Sequence, residues 1–570
     1  MSLFSFFSLV HLFFATAALA APSPPPGISF PRDAGGADAL PILNLPYAAY
    51  RAKEYNKDKD YYRFANVRFA AAPTDGLRWQ KPQPPPKETK LQDGSVGTAC
   101  HQAQTSSFLS WYFENNQPTS EDCLFLDVYV PGKAARGEVK DLSVLNFIYP
   151  GGYVFGSKDW FLYQTGLWLE NSDNNLIYVA GNHRMGAWGF LTGPTVEKEA
   201  TSNLGLHDQR AVLQWIQDYI GLVGGDKNKV TAFGLSSGGS SIMHHVVAEG
   251  GKSNPLFQRA ILNSPAFLPV YDAQSMETSF QDFAGKVQCR GKGIECLRKV
   301  PADALQKANV DTVMNAPVGR FGFGPAIDNS YIRDLPLNEL RKGNFYPGIS
   351  LLISHHENEG LTFSSSIKSD KDFDNLVTQS FPNITKAGKD ELYSLYPDKP
   401  GQSAFKRTSH CLAHYAVNCN VRWMAAAYAK NGGSVRIYRL SALPAVHAQD
   451  TFLNWLRPGI SFHKKLDFNA ALGLDEKPRL EIDIDIDSSN PLHRGLSGKI
   501  QSLISSFARE ADPNRFRKSG MKEVPQTEVK DDGLQVLDLG YEEEKVELDD
   551  LAPKKECDYW AGNAWNGRPG

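Results

Sequence analysis

The sequence predicts an α/β fold with a large, mostly parallel central sheet flanked by helices. Short apolar runs alternate with segments of helical spacing along most of the chain, as expected for strands joined by crossover helices. Hydrophobic residues make up 42% and charged residues 22%, which is typical of a globular rather than a disordered chain. A length of 570 residues is enough to bury a large core. Since no repeat or long linker divides the chain, we expect a single domain over residues 21–570.

The individual elements follow from the spacing of the apolar residues. Short runs of apolar residues predict buried strands at residues 142–149, 176–180, 229–233, 351–353 and 435–438. Apolar positions three or four residues apart predict helices at residues 208–220 and 240–248. Residues 515–555 are rich in charge, and we expect surface turns there.

The balance of charge excludes two broad classes of protein. The chain has 60 Lys and Arg against 63 Asp and Glu, a formal net charge of −3. A nucleic-acid partner is not expected, because the basic excess of nucleic-acid-binding proteins is missing. The same balance excludes a polyacidic solvating chain. Residues 481–487 (E-I-D-I-D-I-D) alternate strictly, which predicts a strand with one acidic face in solvent, and no metal site is expected.

The first twenty residues predict a signal peptide. Residues 3–19 are mostly apolar and contain no charged residue, and Ala18-Leu19-Ala20 has the small residues that a signal peptidase reads. The usual Lys or Arg before the apolar run is missing. A membrane anchor is the alternative, but Ser5, Ser8 and His11 interrupt the run. We expect cleavage near Ala20, secretion of the mature chain, and no integral membrane segment.

The cysteines agree with an oxidising compartment. There are seven, so at most three pairs can form and one thiol is left over. No Cys-x-x-Cys spacing occurs, which argues against a zinc ribbon or a thioredoxin-like site. In a secreted chain, Asn383 in Asn383-Ile384-Thr385 is a candidate glycosylation site.

A nucleophile motif lies between a predicted strand and a predicted helix. Residues 234–238 read Gly-Leu-Ser-Ser-Gly, a G-x-S-x-G pattern with Ser236 at its centre. A serine on a tight strand-to-helix turn has a strained backbone, and its neighbours two residues away must lack a Cβ atom. The context therefore favours a nucleophilic serine over a glycine-rich turn without function.

A second glycine-containing loop, residues 149–153 (Y-P-G-G-Y), follows the predicted strand at 142–149. The N–H groups of consecutive glycines can turn toward one point and bind a developing oxyanion. Since this loop precedes the serine motif, as such loops do in serine hydrolases, it is a candidate oxyanion site.

At this point the chain resembles the type-B carboxylesterases, which include cholinesterases and fungal lipases of the α/β-hydrolase fold. Residues 120–128 (S-E-D-C-L-F-L-D-V) resemble the family's S-E-D-C-L-x-L-N-V signature, and residues 182–190 its N-Y-R-x-G-x-x-G-F stretch. Further similar segments are residues 69–73, 76–79, 203–209, 224–226, 507–509, 512–514 and 557–560. The resemblance covers nearly all of the mature chain.

The resemblance implies a Ser-Glu-His catalytic triad. The nucleophile is then Ser236, and the acid is Glu359, in an N-E-G segment that matches the family. The base is His447, in the H-x-x-D segment that ends at Asp450. His355 and His356 lie too close in sequence to the acid to act as the base.

The implied oxyanion donors are the N–H groups of Gly151, Gly152 and Ser237. Two departures from the family pattern concern this site. Pro150 stands where a third glycine is usual, and it has no N–H group. Leu235 stands where a glutamate usually precedes the serine, so a buried carboxylate near the histidine is lost.

The resemblance also implies three disulfides. The pairs are Cys100–Cys123, Cys289–Cys296 and Cys419–Cys557, which leaves Cys411 free. The first pair closes a loop that contains Phe108, Leu109, Trp111, Tyr112 and Phe113. So many large apolar side chains predict a substrate lid or gorge wall, with Trp111, Tyr112 and Phe113 as its main residues. The alternative is that they pack into the core.

Together these observations predict a secreted, glycosylated serine carboxylesterase or lipase. Its substrate is a small-molecule or lipid ester, and it needs no cofactor. A transacylase with the same triad is one alternative. A cholinesterase-like binding protein with weak or no catalysis is another, although such proteins usually lose a triad residue and this chain has all three.

Overall fold

A computed structural model describes residues 25–31, 40–104, 117–266, 273–316, 320–364, 367–399, 402–467, 481–562 and 564–566. The predicted signal peptide (residues 1–20) lies outside these residues, as do the predicted lid residues Trp111, Tyr112 and Phe113.

The strands of the described residues are numbered in chain order. They are β1 (Gly27–Ser29), β2 (Ile42–Asn44), β3 (Ala49–Arg51), β4 (Glu54–Asn56), β5 (Tyr61–Arg68), β6 (Ala99–Cys100), β7 (Thr119–Ser120), β8 (Phe125–Pro131), β9 (Leu142–Ile148), β10 (Leu176–Gly181), β11 (Gly225–Leu235), β12 (Arg259–Asn263), β13 (Ser350–His356), β14 (Val435–Leu440), β15 (Ser461–Asp467), β16 (Glu481–Asp487), β17 (Leu534–Leu539) and β18 (Glu544–Asp549).

The α-helices are numbered in the same way. They are α1 (Gly132–Ala135), α2 (Leu167–Glu170), α3 (Gly186–Phe190), α4 (Pro194–Glu199), α5 (Leu204–Tyr219), α6 (Ser237–Gly251), α7 (Ala273–Lys286), α8 (Gly293–Arg298), α9 (Ala302–Met314), α10 (Pro336–Lys342), α11 (Asp370–Ser380), α12 (Lys386–Leu395), α13 (Ala404–Ala413), α14 (Cys419–Lys430), α15 (Asp450–Asn454), α16 (Pro491–Glu510) and α17 (Lys554–Trp560). Short 3₁₀ turns occupy Asp75–Leu77, Ile220–Val223 and Glu359–Phe363, and a π-helical turn occupies His414–Asn418.

One large mixed sheet dominates the fold. Within the described chain it has eleven strands in the order β18-β17-β14-β13-β12-β11-β9-β10-β8-β5-β4. The seven strands from β17 to β10 in this order run parallel to their neighbours, and both edges are finished by antiparallel strands. The predicted α/β class with a mostly parallel sheet is confirmed.

Apolar side chains cover both faces of this sheet. Successive residues of a strand point to opposite faces, so Leu351 and Ile353 join one buried cluster and Leu352 joins the other. The amphipathic helix α5 buries Val212 and Leu213 against the first cluster. A strand with apolar residues on both faces is a continuous apolar run, which is why the central strands could be read from the sequence.

Each predicted strand and helix is present, with ends that differ by a few residues. The largest differences are at α5, which begins four residues before the predicted helix, and at β11, which begins at Gly225. The expectation of surface turns across residues 515–555 was wrong in part, since β17 and β18 lie there. The β17 strand is mostly buried because it pairs with β14, and most of the charges that suggested turns lie in the segments outside β17 and β18.

In the described part of the chain, no helix is both long enough and apolar enough to cross a membrane. No group of His, Cys, Asp and Glu side chains in that part has the arrangement of a metal site.

Candidate active site

Three parallel strands deliver the residues of the predicted triad to one edge of the sheet. Ser236 follows β11 directly, Glu359 lies three residues after β13, and His447 lies seven residues after β14. The strands β11, β12, β13 and β14 are consecutive neighbours in parallel register, so their carboxyl ends lie side by side. Ligands and reacting groups of open α/β sheets collect at this edge.

The backbone at Ser236 has the strained turn that the motif predicts. Its φ is +54° and its ψ is −121°, a conformation that non-glycine residues rarely adopt. A Cβ atom on Gly234 would lie 2.3 Å from the carbonyl carbon of Gly238. A Cβ atom on Gly238 would lie 2.0 Å from the carbonyl oxygen of Ile148. Both glycines are therefore required for the strand, the turn and α6 to pack this closely.

The hydroxyl of Ser236 is linked through His447 to Glu359. The Nε2 atom of His447 lies 2.9 Å from the Oγ atom of Ser236, and its Nδ1 atom lies 2.6 Å from Oε2 of Glu359. His447 and Glu359 are fully buried, and Ser236 is 8% exposed. A carboxylate only accepts hydrogen bonds, so the proton of the neutral imidazole is on Nδ1 and Nε2 is free to accept from the serine.

Glu359 is held on its other oxygen as well. Its Oε1 atom accepts hydrogen bonds from the Ser264 hydroxyl at 2.6 Å and from the backbone N–H of His356 at 2.7 Å. Burial by itself raises the pKa of Glu359, but the attraction to His447 and the hydrogen bonds from His356 and His447 outweigh it and hold this pKa well below its ordinary value. The group therefore stays a carboxylate throughout the neutral range.

The predicted oxyanion donors lie on two elements that pack together. The loop after β9 carries Gly151 and Gly152, with φ values of +134° and +60° that suit glycine. Within the described chain, the N–H groups of these two glycines donate to no protein acceptor. The loop is tied to the first turn of α6 by the Tyr153 hydroxyl, which lies 2.6 Å from Oγ of Ser240. Ser237 is the first residue of α6, where N–H groups lack helical partners.

An aromatic side chain lies over this loop. A Cβ atom on Gly152 would come within 2.3 Å of the ring of Phe321, so the ring packs directly against the glycine. The Phe321 side chain is 7% exposed, and it belongs to the same apolar cluster as Tyr153. Leu235, the residue that replaces a family glutamate, is fully buried.

Three disulfides are present, and they are the pairs that the family resemblance implies. They join Cys100 to Cys123, Cys289 to Cys296 and Cys419 to Cys557, while Cys411 is free and buried. Burial raises the pKa of the Cys411 thiol, so this cysteine stays protonated and unreactive.

Asn383 lies on an exposed turn before α12, so its side chain is accessible to a glycosylating enzyme. Thr385 of the same tripeptide is the N-cap of that helix, and its hydroxyl accepts from the N–H of Gly388.

Sequence reasoning missed two neighbours of the triad, Ser264 and His356. His356 was considered only as a base and was rejected, and Ser264 carries no motif signal. Asp450 was noted as part of a motif without a role. Their proximity to Glu359 arises from the neighbouring register of β12, β13 and β14, which the sequence does not reveal.

Comparisons with known proteins show the family of the chain. The sequence model of the carboxylesterase family matches residues 41–560. A secreted lipase of Arthroderma benhamiae is 30% identical over 542 residues, which cover 91% of this chain and 92% of the lipase. The carboxylesterase patB of Penicillium expansum is 28% identical over 91% of this chain and 95% of its own length. The crystal structure of Aspergillus niger EstA matches with a TM-score of 0.77 and 25% identity, over 94% of this chain and all of that one.

Proposed function

Because the chain belongs to the carboxylesterase family and is a carboxylic ester hydrolase, we propose that it acts through Ser236, His447 and Glu359 and a covalent acyl-enzyme. The observation that carries the proposal is the unbroken hydrogen-bonded chain from the Ser236 hydroxyl through His447 to Glu359. This arrangement has the donors and acceptors in the order that nucleophilic catalysis by serine requires.

In the acylation half of the reaction, Oγ of Ser236 attacks the carbonyl carbon of the ester while Nε2 of His447 takes the hydroxyl proton. The carbonyl π electrons move to the oxygen, and the N–H groups of Gly151, Gly152 and Ser237 bind the resulting oxyanion. When the tetrahedral intermediate collapses, the bond to the alcohol breaks and His447 gives its Nε2 proton to the leaving oxygen.

In the deacylation half, His447 takes a proton from water while the water oxygen attacks the acyl carbon. Collapse of the second intermediate breaks the bond to Ser236, and the proton returns to Oγ. Glu359 stays ionised throughout, since its pKa lies well below the ordinary value, and its negative charge offsets the imidazolium that forms twice in each cycle.

Pro150, at a position where the family usually has glycine, is compatible with this proposal. The loop still offers two consecutive N–H groups, at Gly151 and Gly152, and neither is used in the described fold. Leu235 leaves the serine side of the site without the usual carboxylate, and the Glu359 carboxylate that contacts His447 is still present.

We further propose that the enzyme is secreted after cleavage near Ala20 and that residues 21–570 form one domain. Support comes from the three disulfides and the secreted lipase among the relatives. Glycosylation at Asn383 and a lid formed by Trp111, Tyr112 and Phe113 remain predictions.

The test is hydrolysis of p-nitrophenyl esters from acetate to palmitate by the parent and by Ser236→Ala. We expect kcat of Ser236→Ala to fall by about 10⁴-fold or more on every ester, because the nucleophile is lost. Its melting temperature should stay within about 2 °C of the parent, since only one oxygen atom is removed.

Three results would contradict the proposal. A folded Ser236→Ala protein that keeps parental turnover would show that another nucleophile acts. A parent that transfers the acyl group to added alcohols faster than to water, in water as solvent, would make it a transacylase. A parent without turnover on any ester would favour the binding-protein alternative.

A further inference from the structure

A second pair of ionisable side chains lies directly behind the triad. His356, the last residue of β13, and Asp450, the first residue of α15, are both fully buried. Nε2 of His356 lies 3.7 Å from Oδ1 of Asp450, and Nδ1 of His356 lies 3.2 Å from Oε1 of Glu359. Neither side chain takes part in the reaction steps above.

The hydrogen bonds around Ser264 fix the proton on Nδ1 of His356. The Ser264 hydroxyl has one hydrogen, and it is donated to Oε1 of Glu359 at 2.6 Å because a carboxylate can only accept. Oγ of Ser264 also lies 3.0 Å from Nδ1 of His356. Since the hydroxyl hydrogen is already used, Nδ1 must be the donor in this contact. His356 therefore directs an N–H group at both Ser264 and Glu359.

The other ring nitrogen of His356, Nε2, faces the carboxylate of Asp450. Within the described chain, neither oxygen of Asp450 accepts a hydrogen bond of normal geometry, although the Asn263 amide lies near enough to lower its pKa, and Nε2 of His356 also lacks a hydrogen bond. A buried carboxylate without a partner is strongly unfavourable, and within the described chain His356 is the only basic side chain that lies within 4 Å of Asp450. With Nδ1 already protonated, a second proton on Nε2 makes the ring a cation that offsets the charge of Asp450.

We propose that His356 is a positioning residue of the ester hydrolase and that Asp450 holds it in place. His356 in turn keeps the Glu359 carboxylate fixed and ionised behind His447. This inference rests on the triad function proposed above. The resulting order of groups is Asp450, His356, Glu359, His447 and Ser236, with carboxylates and imidazoles alternating up to the nucleophile.

The electrostatic surroundings support this arrangement. Burial alone lowers the pKa of His356, but the Asp450 and Glu359 carboxylates outweigh it and leave this pKa raised. Other titratable groups near the pair are His447 of the triad and the buried hydroxyls of Tyr163 and Tyr438. Burial raises the pKa of both tyrosines, so they stay neutral. Burial also raises the pKa of Asp450, while His356 and His447 act in the opposite direction.

The positive charge on His356 determines the direction in which the pH profile of kcat/KM should move when His356 is replaced. A cation behind Glu359 offsets part of the negative charge that this carboxylate presents to the triad, and it therefore favours the active form at lower pH. Removing the cation should move the acid limb of kcat/KM to higher pH. A side chain with a purely structural role would lower stability without moving this limb.

The chain provides a matched control in the preceding residue. His355 is also fully buried in β13, but it points to the opposite face of the sheet, where its Nε2 lies 2.8 Å from Oδ2 of Asp549. His355→Asn thus removes a buried imidazole from the same strand and from a similar carboxylate partner, without touching Glu359.

The experiment compares His356→Asn, His356→Leu and His355→Asn with the parent. The readouts are the pH profile of kcat/KM for p-nitrophenyl acetate, the pH dependence of inactivation by diisopropyl fluorophosphate, and the melting temperature. His356→Asn places an amide N–H near the position of Nδ1 but has no charge. We expect its acid limb to move up by about half a pH unit or more, with kcat at the optimum within about threefold of the parent.

His356→Leu removes both the donor and the charge. Its acid limb should move by the same amount, and its kcat should fall about tenfold or more at unchanged KM, because Glu359 loses a hydrogen bond that orients it. His355→Asn should lower the melting temperature and leave both pH profiles in place. If His356→Leu does not fold, the asparagine variant still decides the charge effect.

The role of Asp450 is tested by the double variant His356→Asn/Asp450→Asn. Single Asp450→Asn is measured beside it. Because the charge of His356 depends on Asp450, the shift of the acid limb in the double variant should be smaller than the sum of the shifts in His356→Asn and Asp450→Asn. Additive shifts would overturn the pairing. An unmoved acid limb in a folded His356→Asn protein, or an equal shift in His355→Asn, would overturn the positioning role. Failure of the triad itself is seen separately, as turnover that survives Ser236→Ala.

Discussion

Two buried charged clusters in this molecule are built from different cations. The first, at the carboxyl edge of β13 and β14, contains Glu359 and Asp450 with His356 and His447 as their only close partners of opposite charge among the described residues. The second surrounds Asp127 of β8. Lys158 lies 2.8 Å from one oxygen of Asp127, and Arg63 lies 2.7 Å from the other.

The difference lies in whether a proton can move. Burial raises the pKa of Asp127, but Lys158 and Arg63 outweigh it and lower this pKa to about 2. Burial lowers the pKa of Lys158, but Asp127 and Asp159 outweigh it and raise this pKa above its ordinary value. Both groups therefore stay charged near neutral pH. A histidine can gain or lose a proton in that range, so the first cluster can do acid–base chemistry while the second can only stabilise the fold.

The largest expected effect comes from replacing the triad carboxylate by an amide. Glu359→Gln keeps the size of the side chain but cannot hold the Nδ1–H tautomer of His447 or offset its positive charge. We expect kcat/KM to fall by about 10³- to 10⁴-fold, while the variant stays folded because the amide keeps the shape of the side chain. Ester hydrolysis measures kcat/KM, and urea unfolding shows whether the variant is folded. Turnover within tenfold of the parent would show that the carboxylate is not part of the triad.

At the second cluster, around Asp127, we expect a large loss of stability and a small loss of activity. All three donors of Lys158 are used, by Asp127, Asp159 and Asn66, so Lys158→Met leaves a buried carboxylate with one cation fewer. The free energy of unfolding should fall by about 3–5 kcal/mol, while kcat/KM of the folded protein changes less than about tenfold. Urea unfolding of the variant checks this.

An exposed ion pair is the control for Lys158→Met. Lys386 pairs with Asp390 on the surface of α12, where solvent screens the interaction. Lys386→Met should leave the free energy of unfolding close to that of the parent. Equal losses in the two variants would show that burial of the Lys158 network adds nothing.

The loop that contains Gly151 and Gly152 extends the comparison, because we propose that backbone N–H groups rather than side chains act there. Gly152→Pro removes an N–H group and also presses a side chain toward Phe321. We expect kcat to fall by about a hundredfold or more. Pro150→Gly, which removes no donor, should leave kcat within a small factor of the parent. The reverse order of the two effects would mean that this loop does not bind the oxyanion.

The smallest effect concerns acid stability. Because the pKa of Asp127 is lowered by folding, its contribution is present above the pKa of the unfolded chain, about 4. It is lost as the pH falls from about 4 through about 2, a loss of roughly 2 kcal/mol. The free energy of unfolding of the parent should therefore decrease over this interval, and the decrease should be smaller in Asp127→Asn. Equal slopes in the two proteins would show that another group controls acid unfolding.

The strong local patterns allowed much of the fold and site to be predicted. The strand–turn–helix around Ser236 follows from the two glycines and the apolar runs beside them, because sterics at a tight turn act over a few residues. The two strands at one end of the sheet, β17 and β18, were harder to predict. Charges in residues 515–555 masked β17 and β18, since pairing at the end of a sheet depends on the neighbour β14 rather than on the local sequence.

By itself, the sequence determined the α/β class and the tight turn at Ser236, and through family motifs it predicted the residues and order of the proposed triad. Only the tertiary structure decided which other groups meet that triad. Ser264, His356 and Asp450 come from three segments and meet around Glu359 because the register of three parallel strands and the start of α15 place them there. In the same way, Arg63, Asp127 and Lys158 join through the pairing of β5 with β8 and the loop after β9. Local sterics act through neighbours in sequence, whereas the charge and protonation of a buried group depend on every side chain that packing brings within a few ångströms of it.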